Sequence, residues 1–231
     1  MPKLLELFSG TGSVGSIARG LGWEVTSLDI NNKSNADVKT DILQWDYQNH
    51  PEQHYDFIWA SPPCTEYSVA KTVGTRNLEL ADAIVRKTWE IISHFDPIWY
   101  GIENPQTGLL NSRPMMVGKS YTDIDYCKYG MPYKKRTRLW NNIQHIWKPR
   151  PLCKRDCDSL REGTKRHLQI AQRGPYTKKD VKIQQRFKQA ELYRVPGMLV
   201  HEILTSVYPI NVQSHSAGLS TKLVTLEFAN L

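Results

Sequence analysis

The first 105 residues alternate between short apolar runs and stretches in which apolar positions recur with helical spacing. The apolar runs end in turn-forming or polar residues and predict buried strands at 3–8, 23–30, 55–60 and 98–104. The helical spacing predicts helices at 13–21 and 77–95. Strands that alternate with helices in this way predict a parallel α/β sheet with right-handed crossovers.

The pattern changes after residue 120. "YTDIDYCKYG" (121–130) and "TRLWNNI" (137–143) predict antiparallel strands at a sheet edge. Short helices are predicted near 180–193 and 197–206, while the end of the chain (212–231) fits either a late strand or a tail. We therefore divide the chain into a core (1–142), a small segment (143–190) and a return to the core with a tail (191–231).

Charge is distributed unevenly along the chain. Residues 145–190 contain 13 Lys/Arg against 4 Asp/Glu, a charge of +9, which leaves −2 for the rest of a chain whose total is +7. A basic segment on a nearly neutral core predicts a polyanionic partner such as nucleic acid. The alternative is a solvated lysine-rich surface.

Several protein classes are disfavoured. No apolar run is long enough to span a bilayer, and "MPKLLELFSG" (1–10) lacks the features of a signal peptide. Four cysteines are too few for a disulfide scaffold. We therefore expect an intracellular, reducing location and no membrane partner.

A candidate ligand site lies at the ends of the first predicted strands. Ser9, Gly10 and Gly12 stand at a strand-to-helix turn, where glycine allows a ligand to approach the backbone. Asp29 follows 19 residues after Gly10, where an α/β nucleotide site places a carboxylate on ribose hydroxyls. Asp41 in "TDI" (40–42) suits an adenine amino group. Since no Walker lysine motif is present, we expect an adenosine-containing ligand without a critical triphosphate.

Cys64 lies in "ASPPCTEYS" (60–68), directly after two prolines. Two prolines fix φ at consecutive positions and remove two backbone donors, so this thiol sits on a rigid loop. The preceding strand is expected near the switch point of the sheet, where open α/β sheets bind ligands. The alternative is a buried inert thiol, and a nucleophilic role requires activation, because a free thiol with a pKa of ~8.5 is mostly protonated at neutral pH.

Three further charged residues are candidates for substrate contacts. Glu103 in "IENP" (102–105) can pair with a lysine or hydrogen-bond a substrate ring. Arg136 and Arg138 are separated by one residue, a spacing that points both guanidinium groups to one face of a strand. Arginine binds carboxylates or phosphates through paired hydrogen bonds.

In this order the motifs resemble those of the DNA cytosine-5 methyltransferases. "FSGTG", "TDI", "PPC", "IEN" and R-x-R carry a resemblance from residue 3 to about 142, with a weaker trace in "RVPGMLVHEIL" (194–204). The resemblance implies a Rossmann-like methyltransferase fold that binds S-adenosylmethionine. It implies a cofactor site lined by Phe8, Ser9, Gly10, Gly12, Asp29, Ile30, Asp41, Ile42 and Pro62.

The same resemblance implies a reaction. Cys64 would be the nucleophile that adds to C6 of cytosine, and Glu103 would hydrogen-bond N3 and the exocyclic amine. Arg136 and Arg138 would lie around the target base, which must be flipped out of the duplex. The implied partner is double-stranded DNA, bound by a monomer.

The chain departs from the family pattern in several places. Thr65, Pro105 and Lys134 stand where the family usually has Gln, Val and Gln. The large target-recognition region is missing, since only about 50 residues separate Arg138 from the final helices. This compact form resembles small methyltransferases of viruses and phages. Because the segment is short and basic, we expect a short, degenerate target of about two to four base pairs.

Three other functions are compatible with parts of this pattern. Amino-methyltransferases have a [DNS]-P-P-[YF] loop similar to "SPPC" (61–64), but an aromatic residue replaces the cysteine there. An RNA cytosine methyltransferase of the same fold would use the same chemistry. A catalytically silent nucleic-acid-binding relative would be expected to lose Cys64 or Glu103.

Cys153, Cys157 and His167 have a spacing that a zinc site permits. A fourth ligand is not obvious from the sequence, although Cys127 or His145 could supply it. The favoured expectation is therefore that both cysteines are ordinary reduced thiols and that no metal is bound.

Overall fold

A computed structural model describes residues 1–171 and 189–209 of the chain. The predicted helix near 180–193 is therefore described only from Gln189, and the uncertain segment 212–231 lies outside the described residues. The proposed three-part division of the chain stays a prediction.

Seven strands form one sheet in the order β3-β2-β1-β4-β5-β7-β6. Strands β1 to β5 are parallel, while β7 runs antiparallel to both β5 and β6. The strands are β1 (Lys3–Leu7), β2 (Glu24–Asp29), β3 (Val38–Lys39), β4 (Phe57–Ala60), β5 (Trp99–Pro105), β6 (Tyr121–Asp125) and β7 (Arg136–Asn141). The order reverses between β1 and β4, so the switch point lies at their carboxyl ends.

Both faces of the sheet are covered, as parallel sheets require. The helices are α1 (Ser13–Gly20), α2 (Leu78–Phe95), α3 (Gln189–Tyr193) and α4 (Gly197–Val207). On one face Leu4 and Phe57 pack with α1 and α4, and on the other Leu5 and Ile58 pack with α2. In the described part of the chain, every helix is too short or too polar to cross a bilayer.

The predicted elements are confirmed with small shifts at their ends, except that the strand predicted over 121–130 ends at Asp125 and is followed by a 3₁₀ helix (Tyr126–Tyr129). The first helix ends at Gly20, and the longest helix begins at Leu78, where the side chain of Asn77 accepts the amide N–H of Leu80 at 3.1 Å. Such a side-chain acceptor satisfies a donor left free by the first helical turn. The predicted antiparallel edge is formed by β7 and β6, and the helix predicted at 197–206 is α4.

Candidate active site

The glycine-containing turn after β1 is joined to the end of β2. Phe8, Gly10 and Gly12 have φ values of 60°, 50° and 67°, a left-handed conformation that glycine adopts without penalty and phenylalanine does not. The amide N–H of Gly10 donates to Asp29 Oδ2 at 2.7 Å, and that of Asn31 donates to Oδ1 at 2.8 Å. The turn and the carboxylate predicted to share a ligand are therefore in direct contact.

The other predicted cofactor residues differ in exposure. Ser9 is buried, and its N–H donates to the carbonyl of Leu28 at 3.0 Å. Ile30 is 67% exposed beside Asp29, and so presents apolar surface at the end of β2. Asp41 is half-buried and caps its own turn, whereas Ile42 is 3% exposed and packs into the core. Ile42 therefore supports the predicted cofactor site from within the core and does not line its surface.

The loop that carries Cys64 leaves the sheet at the switch point. The N–H of Ser61 donates to the carbonyl of Leu7 at 3.2 Å, which continues the pairing of β4 with β1 for one more residue. The side-chain amide of Asn104 donates to the carbonyl of Pro62 at 2.9 Å. Beyond the prolines, the N–H of Tyr67 donates to the carbonyl of Cys64 at 3.1 Å. The half-buried thiol thus lies on a loop anchored before and after it.

Tyr67 provides the second anchor of this loop. Its ring is fully buried, and its hydroxyl donates to Asp82 on α2 at 2.9 Å. Asp82 also receives the guanidinium of Arg113. The backbone three residues after Cys64 is consequently fixed to the helix layer. Burial raises the pKa of Tyr67, and the hydrogen bond to Asp82 raises it further.

Glu103 is buried at the end of β5 and pairs with a lysine, one of the two possibilities that the sequence left open. Its Oε1 accepts the hydroxyl of Tyr126 at 2.8 Å and lies 3.6 Å from Lys135 Nζ. Lys135 also donates to the carbonyl of Leu192 at 3.2 Å, and its ammonium lies 4.8 Å from the centroid of the Tyr126 ring. The returning C-terminal segment therefore closes this side of the site.

The groups around Cys64 shift the pKa of its thiol in opposite directions. Burial raises the pKa of Cys64, the Glu103 carboxylate raises it further, and the Lys135 ammonium lowers it. Both charges therefore lie within electrostatic reach of the sulfur. A thiol in this setting is protonated at rest and requires a base or additional positive charge to become a nucleophile.

Arg136 and Arg138 project from one face of β7, as their spacing predicted, but they are not brought to Glu103. Glu103 is paired with Leu139 in the register of β5 and β7, whereas Arg138 is paired with Asn104. Directly paired residues share a face, so the two arginines lie on the face opposite to Glu103. Arg138 forms two hydrogen bonds with Asp123 and stacks on Tyr121, its guanidinium carbon lying 3.5 Å from the ring centroid.

Arg136, two residues before Arg138 on β7, forms an equivalent ion pair with an aspartate of β6. Its Nε and Nη2 donate to the two carboxylate oxygens of Asp125 at 3.0 and 2.7 Å. The Asp125 carboxylate is buried, and it also accepts the backbone N–H of Cys153 at 2.9 Å. Both arginines thus tie β7 to β6, and Asp125 connects that edge to the segment beyond.

Three residues of the site were missed by sequence reasoning. Asn104 stands in the quoted "IEN" motif but had no role, and Tyr126 carried no signal of its own. Lys135 was predictable, because a residue adjacent to Arg136 on an extended chain points to the opposite face. That face is the one on which Glu103 lies.

A second cluster of reactive side chains lies beyond Asp125. One ligand atom from each of four residues lies within 4.8 Å of every other: Cys127, Cys153, Cys157 and His167. The sequence left Cys127 and His145 open as a fourth member, and the structure places Cys127 there. All three cysteines are buried, and each is a free thiol.

Comparison with solved structures gives partial likenesses. A protein described as a DNA modification methyltransferase, encoded within a prophage of E. coli, matches 66% of this chain and 52% of its own, with a TM-score of 0.49 and 15% identity. Spodoptera frugiperda DNMT2 matches 76% of this chain and 56% of its own, with a TM-score of 0.44 and 17% identity.

Comparison with sequences gives a stronger relationship. No protein-family profile matches the chain. A protein of Frog virus 3 (isolate Goorha), described as "Probable DNA (cytosine-5)-methyltransferase", is 30% identical over 225 residues, which cover 87% of this chain and 98% of the relative. Identity of this extent over nearly the full length of the relative shows common descent, and the chain belongs to the DNA (cytosine-5)-methyltransferase family.

Proposed function

We propose that this protein transfers a methyl group from S-adenosylmethionine to C5 of cytosine in DNA, with Cys64 as the covalent nucleophile. The observation that carries the proposal is the placement of Cys64 at the switch point of the sheet, on a loop that Asn104 fixes through Pro62 and within electrostatic reach of Glu103. Membership of the DNA (cytosine-5)-methyltransferase family supports the same reaction.

The residues at the ends of β1 and β2 fit an adenosine-containing cofactor. Each Asp29 oxygen accepts one backbone N–H, and a carboxylate has about four acceptor sites, which leaves acceptors for ribose hydroxyls. Exposed Ile30 offers an apolar surface that an adenine ring can cover. Asp41 would accept the adenine amino group, and Phe8, Ser9, Gly10, Gly12 and Pro62 would line the site. When bound, S-adenosylmethionine supplies an electrophilic methyl group carried on a sulfonium.

Cys64 begins the proposed reaction. Cytosine C5 is a weak nucleophile until an anion adds at C6. The Cys64 thiol gives its proton to the Glu103 carboxylate, its sulfur forms a bond to C6, and the electrons of the C5–C6 double bond move into the ring. The paired prolines and the hydrogen bond from Asn104 hold the sulfur in one direction for this attack.

Glu103 balances the charge that reaches the ring. It gives the proton taken from Cys64 to N3 as the sulfur adds, and its other oxygen accepts a hydrogen bond from the exocyclic amine. Tyr126 and Lys135 orient the carboxyl group and stabilise the carboxylate left behind. After C5 has gained the methyl group and lost its proton to a base, Glu103 recovers its proton from N3 and Cys64 leaves C6 as a thiolate.

Arg136 and Arg138 are assigned a positioning role in this proposal. Each forms a two-point ion pair with an aspartate of β6, and their face of the sheet is opposite to that of Glu103. They therefore brace the two strands whose ends carry Tyr126 and Lys135. A direct contact of Arg138 with the base is the competing assignment.

The proposed partner is double-stranded DNA, bound by a monomer in a reducing intracellular compartment. The four free thiols suit that compartment. The basic segment is suited to phosphate contacts, which position a duplex but carry no sequence information. We expect binding to fall steeply with added salt, and a short target of about two to four base pairs.

DNA that carries 5-fluorocytosine provides the decisive test, because fluorine at C5 cannot leave as a proton and the covalent adduct persists. We expect a stable adduct at Cys64 that forms only with cofactor, and Cys64→Ser should lose both the adduct and methylation while still binding cofactor. Full methylation by Cys64→Ser would exclude the mechanism. Bisulfite sequencing of plasmid DNA and of RNA treated in parallel gives the target, and methylation of RNA alone would assign the activity to RNA.

A further inference from the structure

We propose that Cys127, Cys153, Cys157 and His167 bind a structural zinc ion that holds the basic segment to the catalytic core. This inference replaces the expectation of ordinary thiols with no metal, and it does not depend on the proposed reaction. It rests on the convergence of four zinc-ligand side chains from two separate parts of the chain.

The distances suit tetrahedral coordination. With Zn–S bonds of about 2.3 Å and Zn–N bonds of about 2.0–2.1 Å, tetrahedral angles place a sulfur and a nitrogen ligand about 3.6 Å apart. The distance from Cys153 Sγ to His167 Nε2 is 3.5 Å. Two sulfur ligands in the same geometry lie about 3.8 Å apart, and every pair of ligand atoms in the cluster is within 4.8 Å. Small adjustments of side chains would close the site around an ion.

The local backbone supports thiolate ligands. The N–H of Arg155 donates to Cys153 Sγ at 3.3 Å, and the backbone N–H groups of Asp156 and Ser159 hydrogen-bond Cys153 and Cys157. Donors of this kind orient sulfur ligands and stabilise their negative charge. Lys134, which donates to the carbonyl of Cys153 at 3.0 Å, adds a positive charge beside a centre whose three thiolates outweigh one dication.

His167 reaches the site through a short turn of chain. Leu160 and His167 form an isolated antiparallel bridge, and the N–H of Leu168 donates to the carbonyl of Ser159 at 2.8 Å. This pairing folds residues 160–167 back on themselves, which returns the imidazole to the two cysteines that precede the turn. Arg161, Lys165 and Arg166 lie on the turn, so the zinc site would fix a cluster of cations at the surface.

The described part of the segment is held to the core by polar contacts, such as the hydrogen bond from Ser159 to the carbonyl of Met131 and the ion pair of Asp156 with Lys128, and it buries few apolar side chains. Between residues 148 and 171 the buried residues are Cys153, Cys157 and Ser159, while Leu152, Leu168 and Ile170 are exposed. A stretch this short cannot build an apolar core of its own, and small units of this kind commonly depend on a metal. Cys127 belongs to the core just after β6. A zinc ion would therefore add a rigid link between segment and sheet to these polar contacts.

The site would also affect the edge of the catalytic sheet. Asp125, two residues before Cys127, accepts the backbone N–H of Cys153 and the guanidinium of Arg136. A metal bound by Cys153 would hold the backbone of this residue against the carboxylate. The inferred zinc ion is thus structural, with four protein ligands and no open position for a substrate.

Metal analysis of the full chain, expressed in zinc-supplemented medium and purified without chelator, tests the inference. We expect one zinc ion per chain, and after cobalt replacement we expect the visible absorption of tetrahedral Co²⁺ together with thiolate-to-cobalt charge transfer. Cys153→Ser with Cys157→Ser should remove both signals. His167→Cys should keep the metal, because it exchanges one zinc ligand for another.

Two matched variants serve as controls. Cys64→Ser removes the remaining cysteine, and His145→Ala removes the histidine that the structure leaves out of the cluster, so both should retain one metal ion per chain. Wild-type protein that carries no stoichiometric metal and gives no cobalt spectrum would overturn the inference. So would a disulfide among these cysteines in freshly purified protein, or zinc that remains after both Cys153 and Cys157 are replaced.

Discussion

The side-chain amide of Asn104 donates a 2.9 Å hydrogen bond to the carbonyl of Pro62, and both groups are buried. This bond joins the end of β5 to the loop after β4, two residues before Cys64. Prolines have no backbone N–H, so Pro62 can join its neighbours only as an acceptor. Asn104 supplies the missing link, and the direction of the thiol therefore depends on a residue of the adjacent strand.

Asn104→Ala should leave the Cys64 thiol present but make its position less fixed. The change leaves the buried Pro62 carbonyl without a donor, which costs about 1–2 kcal/mol in the free energy of unfolding. A displacement of the sulfur by about 1 Å can slow reaction by about 10²-fold. We expect the rate of adduct formation with 5-fluorocytosine DNA to fall by about that factor, while cofactor affinity stays unchanged. Asn49→Ala, at an exposed asparagine that bonds only Asp46, is the control, and an undiminished rate in Asn104→Ala would contradict the role.

The charges around Cys64 should determine how the rate of its alkylation depends on pH. Burial and the Glu103 carboxylate raise the pKa of this thiol, and the Lys135 ammonium lowers it. Glu103→Gln should therefore lower the pKa of Cys64, and Lys135→Met should raise it. Alkylation by iodoacetamide across a pH series, read at the Cys64 peptide by mass spectrometry, measures both shifts. Glu90→Gln on the surface of α2 should leave the pH profile unchanged. Equal pH profiles for all three variants would show that the charges of Glu103 and Lys135 do not act on the Cys64 thiol.

Asp29 should contribute to cofactor affinity. Asp29→Ala removes the acceptor that we assign to the ribose hydroxyls and should weaken binding by about 1–3 kcal/mol, or about 5- to 150-fold. Calorimetry with S-adenosylmethionine and with its demethylated product, without magnesium, gives the measurement. Asp29 also accepts the N–H of Gly10, so the substitution can affect folding as well as binding. Thermal unfolding of the ligand-free variant should therefore be measured alongside the calorimetry. Asp46→Asn is a surface control, and unchanged affinity in Asp29→Ala would remove Asp29 from the site.

The sequence predicted the strands, the helices and a ligand site shared by the glycine turn and Asp29, because these follow from periodicity and from the geometry of parallel strands. It did not place Glu103 and Arg138 on opposite faces. That difference follows from the register in which Asn104 pairs with Arg138, and register depends on contacts between strands that are more than 30 residues apart in the chain. Cys127 was undecided for the same reason, since its neighbours in the cluster lie 26 to 40 residues further along the chain.

Two roles of Arg138, bracing β7 against β6 and contacting the target base, can be distinguished by substitution. If Arg138 acts by bracing β7 against Asp123, then Arg138→Gln and Asp123→Asn should lower methylation by similar factors, and the double variant should be no worse than either. The two residues share a two-point ion pair, and effects of residues that act as a unit are not additive. Methylation rates under single-turnover conditions test this. A large loss in Arg138→Gln with none in Asp123→Asn would instead assign the guanidinium to the base.

Glu6 should make stability depend on pH near neutrality. It is buried beneath the start of α1, and burial raises its pKa from 4.5 to about 7, although the N–H groups of Gly15 and Val14 oppose this. Between those pH values the folded chain keeps a proton that the unfolded chain has lost, so the free energy of unfolding falls as pH rises from about 4.5 to about 7. The total is about 3 kcal/mol, at about 1.4 kcal/mol for each pKa unit.

Urea unfolding at several pH values measures this contribution as a difference between two proteins. Glu6→Gln cannot titrate, so the stability of the natural chain relative to the variant should fall by about 3 kcal/mol from pH 4.5 to pH 7.5. Ser16→Ala, at an exposed position of α1, changes no titratable group and should give a difference that is nearly independent of pH. Parallel curves for the natural chain and Glu6→Gln would mean that Glu6 is ionised throughout, held as a carboxylate by the two N–H groups at the start of α1.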